Sequence, residues 1–64
     1  MKEEEILNAV KDIKGLTSMS VNERLHSSGL LNEFNAAFSK DKEKARFILQ
    51  TIEVDRTYID KVFN

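Results

Sequence analysis

Proline is absent from this chain, and glycine occurs twice, at Gly15 and Gly29. So few breakers favour long regular elements with two natural places to interrupt them. Few β-branched residues stand in succession, while Glu, Lys, Leu, Ala and Arg are abundant. That balance favours helix over strand, and an all-α chain is expected.

Sixty-four residues allow one domain, spanning 1–64. A chain this short buries a modest share of its surface and is marginal unless something reinforces it. With no cysteine, disulfides and thiolate metal sites are excluded. One histidine, His26, does not supply an all-protein zinc site, so no metal and no cofactor are expected. Well-capped helices, or association with a second copy, must stand in.

The periodicity predicts four helices. The first covers residues 3–14, with Ile6, Val10 and Ile13 on one stripe and Leu7 beside them. Glutamates fill its first turn, and Gly15 suits the left-handed position after it, from which Leu16 folds back. The second begins after Ser20 and runs to about Ser39. Ser20 and Glu23 form a capping box at its start, which contributes about 1 kcal/mol. The third covers residues 41–53, capped by Asp41, with Ala45, Ile48, Leu49 and Ile52 as its stripe. The fourth is short, residues 56–63, with Asp55 as cap and Val54 packing on Ile59 as a staple. The expected architecture is a compact mini-bundle of three longer helices plus a short C-terminal helix.

The second helix is two-sided. At about 100° per residue, Val21, Leu25, Ser28 and Gly29 fall on one side, and Leu30, Leu31, Phe34, Ala37 and Phe38 on the other. Two arrangements fit. In the favoured one the helix is continuous, and Gly29 lets a neighbouring backbone approach closely. In the other, Ser27-Ser28-Gly29 is a kink that turns both groups to one core. Phe47 points away from the apolar stripe of the third helix; it is either an ordinary exposed aromatic or a ring covered by the first helix or a second subunit.

Candidate chemistry is sparse. Glu23, His26 and Ser27 bring a carboxylate, an imidazole and a hydroxyl within two turns, which invites a base–nucleophile reading. Adjacent helical residues diverge by about 100°, and no oxyanion hole or nucleophile elbow is visible, so no catalytic residue is assigned. In the favoured reading Glu23 caps the helix, Ser27 faces solvent or bonds back to a carbonyl, and His26 is a surface residue; an intermediate reading makes Asn22, Glu23, His26 and Ser27 a polar recognition patch. The segment 40–46 is basic at first sight, but Asp41 and Glu43 interrupt it and no aromatic is interleaved for base stacking. A helix-turn-helix reading would place Lys42, Lys44, Arg46, Gln50 and Thr51 on a recognition helix. A net charge of −1 speaks against nucleic acid. No apolar run reaches the length of a membrane span, and the acidic N-terminus is unlike a signal peptide. Cytoplasmic residence is the expectation.

The string Val21-Asn22-Glu23-Arg24-Leu25, then Ser28-Gly29-Leu30-Leu31-Asn32-Glu33-Phe34, is followed by Ile48-Leu49 and Ile52-Glu53. It resembles a group of small bacterial proteins with a "VNERL…SGLL-x-EF" core and a downstream "IL-x-x-[IV]E" helix. The resemblance runs from Ser20 to the last helix and omits the first. It implies a bacterial or phage-related cytoplasmic origin and a compact helical form. The group has no established activity, so no functional residue is carried over.

The function expected from the sequence is a small non-enzymatic protein-interaction module. Its partner is another protein or a second copy, and its candidate surface is Leu7, Gly29 and Phe47. Alternatives are an inhibitor or immunity-type protein that binds a toxin or nuclease, and a DNA-binding regulator. The loop 15–19 could serve as a hinge for exchanging the first helix between copies.

Overall fold

A computed structural model of the chain describes residues 2–63. Among the described residues there are five α-helices and one 3₁₀ turn: α1 Glu3–Val10, the turn Leu16–Ser18, α2 Val21–Ser28, α3 Leu31–Lys40, α4 Lys42–Thr51 and α5 Arg56–Val62. The all-helical expectation holds. The helix count differs, because the second expected helix is two.

The break falls at Gly29, whose φ is +74°. Its N–H donates to the His26 carbonyl at 3.1 Å, and the Leu30 N–H donates to the Leu25 carbonyl at 3.0 Å. This is a Schellman closure: a left-handed residue ends the helix, and an apolar residue after it meets one a turn earlier. Leu25 and Leu30 are that pair, and both are buried. The continuous helix is therefore corrected, and so is the reason given for the glycine. Apart from chain neighbours, no heavy atom lies within 4 Å of where a Gly29 Cβ would stand. Gly29 serves the backbone angle and not a close helix crossing. The two-sided pattern has the same origin: α2 and α3 each carry their own stripe, and the turn resets the register between them.

Gly29→Ala is expected to cost about 1–2 kcal/mol, the penalty of a Cβ in the left-handed region. Gly29→Asn should cost less, because asparagine visits that region more readily. Urea denaturation of the three proteins measures this, and equal stability of the alanine variant would contradict the closure described.

α4 ends in the same way without a glycine. Glu53 has φ +64°, its N–H donates to the Gln50 carbonyl, and the Val54 N–H donates to the Leu49 carbonyl at 3.0 Å. Val54 and Leu49 are the buried apolar pair here.

α1 stops at Val10, one turn before the expected Lys14. Continued as helix, Leu16 would stand about 120° from Val10 and miss the core. Instead the Ile13 N–H donates to the Val10 carbonyl, and Gly15, at φ +75°, turns the chain so that Leu16 is buried.

The other starts follow the sequence. The Ser20 N–H donates to the Glu23 carboxylate at 3.1 Å, and the Glu23 N–H donates to the Ser20 hydroxyl at 3.2 Å. Asp41 accepts from the Lys44 N–H at 3.2 Å, and Asp55 accepts from the Thr57 N–H at 3.0 Å. Val54 and Ile59 are both buried at the α5 entry. One core joins all five helices, with Ile6, Leu30, Ile48, Leu49, Ile52 and Ile59 as its most enclosed large side chains.

Arg24 ties the two ends of this core. From α2 its Nε donates to the Met19 carbonyl at 3.1 Å, and its guanidinium reaches the Ile52 and Glu53 carbonyls at 3.3 and 2.9 Å. These last carbonyls stand at the C-terminal end of α4, where a cation is favoured.

Candidate interaction surface

The turn at Gly29 sets the apolar stripes of α2 and α3 at an angle, and α5 closes the third side. Between them lies an open groove of about 410 Å³. Val21 and Leu25 come from α2, Phe34 and Phe38 from α3, and Tyr58 and Val62 from α5; Leu49 of α4 also lines it. Asn22, Asn35 and Ser39 add polar side chains to its lining. No charged side chain is among the lining residues.

The aromatic wall is braced from behind. The Phe34 and Phe38 rings lie 5.8 Å apart at 47°, and those of Phe38 and Phe63 lie 5.4 Å apart at 40°. Tilted rings at these separations attract through their quadrupoles. The Lys42 ammonium sits 4.2 Å from the centre of the Phe38 ring and donates to the Phe38 carbonyl at 2.9 Å. Arg46 lies over Phe63 at 5.2 Å. Phe38 thus contacts a cation, two rings and the groove. Tyr58 is 47% exposed, a large ring standing at the rim with an apolar body and a polar tip.

The residues singled out from the sequence fall on separate elements. Leu7, 52% exposed, lies on α1 beside the buried Ile6. Phe47 is half-buried and packs on the core. With Lys2, Glu3 and Ile6 it lines a second cleft between the starts of α1 and α4, so the first helix is one neighbour of this ring. Gly29 is exposed at the α2–α3 turn. Phe47 and its cleft include neither of the other two.

In the polar patch, Asn22, Glu23, His26 and Ser27 are all exposed. Asn22 alone also lines the groove. The Glu23 carboxylate is engaged as a cap, and the Ser20 backbone N–H, then its hydroxyl, holds its pKa below the usual value. No hydrogen bond joins Glu23, His26 and Ser27 among the described residues.

The basic residues of the helix-turn-helix reading are engaged within the chain. Lys42 is on Phe38, Arg46 bonds Asp60 at 2.9 Å, and Lys44 bonds Glu33 at 2.6 Å. The hydrogen bond to Lys44 lowers the Glu33 pKa, and the same bond raises that of Lys44. Glu33 favours the folded state above its ordinary carboxylate pKa, and that contribution disappears as pH falls through the lowered folded value. Lys44 contributes below its ordinary pKa, and the effect is lost as pH rises through the raised folded one. At this exposed site the pair is weak and screened by salt. Titrating stability at low and high ionic strength should therefore show a small acid-side loss that Glu33→Gln and 1 M salt each reduce, the Glu23 cap supplying the remainder.

Among the described residues no group of three or more His, Asp or Glu is placed to hold a metal ion, and no helix is long and apolar enough to cross a membrane. Tyr58 and Arg24 were not singled out from the sequence. Tyr58 carries one signal there, as an aromatic placed off the stripe formed by Ile59, Val62 and Phe63. No family model matches the sequence, and no curated protein or solved structure matches it.

Proposed function

We propose that this chain is a small non-enzymatic protein-interaction module, and that the groove between α2, α3 and α5 is its contact surface. The observation that carries the reading is Tyr58, half-exposed at the rim of an apolar, uncharged groove whose aromatic wall is fixed from behind. Aromatic anchors beside apolar pockets supply most of the energy at protein contacts, with polar atoms confined to the rim. A groove of a few hundred Å³ accepts two or three side chains of a partner. The engagement of Lys42, Lys44 and Arg46 within the chain supports a protein partner over nucleic acid. Cytoplasmic residence belongs to the same reading.

The test pairs Tyr58→Ala with wild type. Proteins retained by the immobilised chain are identified, purified and titrated against both forms by calorimetry. One-to-one binding that weakens by tenfold or more in Tyr58→Ala, with unchanged thermal stability, is the expected result. That loss corresponds to about 1.4 kcal/mol. Equal affinity for both forms would refute the groove as the contact surface. Sedimentation of the free chain tests a second copy as partner: a dimer that Tyr58→Ala dissociates would identify it.

A further inference from the structure

We draw no further inference here: the strongest candidate, the apolar groove between α2, α3 and α5, belongs to the surface already proposed, and nothing in the structure shows what covers it.

Discussion

Leu30→Ala is expected to lower the unfolding free energy by about 3 kcal/mol, within the range for large-to-small changes at enclosed leucines. Leu30 is 0% exposed, and three functions meet in it. Its side chain is the apolar partner of Leu25 across the Gly29 turn. Its N–H closes that turn, and its carbonyl accepts the Phe34 N–H at 2.7 Å as α3 begins. Alanine retains the backbone bonds and removes the side chain, so the variant isolates packing. A domain of this size has a total stability of about 3–9 kcal/mol. The loss should therefore shift the melting temperature by about 12 °C or more, and at the lower end it leaves about half of the chains unfolded at room temperature. Calorimetry or urea titration measures it. A loss under about 1 kcal/mol would mean that the core closes without Leu30. The conservative Leu30→Met change should cost less than about 1.5 kcal/mol, since it keeps the volume.

Arg24→Met is expected to cost about 2 kcal/mol. The methionine retains much of the apolar stem and removes the guanidinium that serves three carbonyls. Hydrogen bonds from a charged donor contribute more than neutral ones, about 1.5–3 kcal/mol net where they are shielded from water and less where they are exposed. The carbonyls of Ile52 and Glu53 regain some water, which places the net at the lower end. Arg24→Lys should restore only part of the loss, because an ammonium lacks the planar fork that reaches both sides at once. The site of damage is equally specific. Amide exchange at Glu53 and Val54, whose N–H groups close α4, should accelerate more than exchange in α3. Uniform acceleration would instead point to global destabilisation, and an unchanged stability would remove Arg24 from any role in joining the two ends.

Much of the fold was legible because its starts are written in local chemistry. Ser20 with Glu23, Asp41 and Asp55 each act on a backbone N–H two or three residues away, and spacing alone reveals them. The endings were harder. Gly29 permits both a left-handed turn and a close crossing, and its residue type does not choose between them. The decisive clue lay in the pattern around it, where two apolar stripes failed to share one axis. Glu53 offers no clue, because a glutamate with positive φ looks like any surface glutamate. Arg24 is invisible for another reason: two of its three carbonyl partners lie 28 and 29 residues away, beyond any local rule. The same holds for the groove, which exists only because three helices converge. Tyr58 could have been noticed as an aromatic off its stripe, but not the wall opposite it.

The joint between α3 and α4 is a single residue, Asp41, which is at once the end of one helix and the cap of the next. Its consequence is kinetic. Bringing those two helices together closes almost no loop, so little chain entropy opposes their meeting. Their apolar stripes can collapse onto each other as soon as each helix forms, on the timescale of local rather than distant contacts. α1 ends at Val10 and α4 begins at Lys42, so their contact closes a much longer loop at a higher entropy cost. The helical hairpin around Asp41 is therefore expected to form early, and substitutions within it should slow folding more than substitutions in α1.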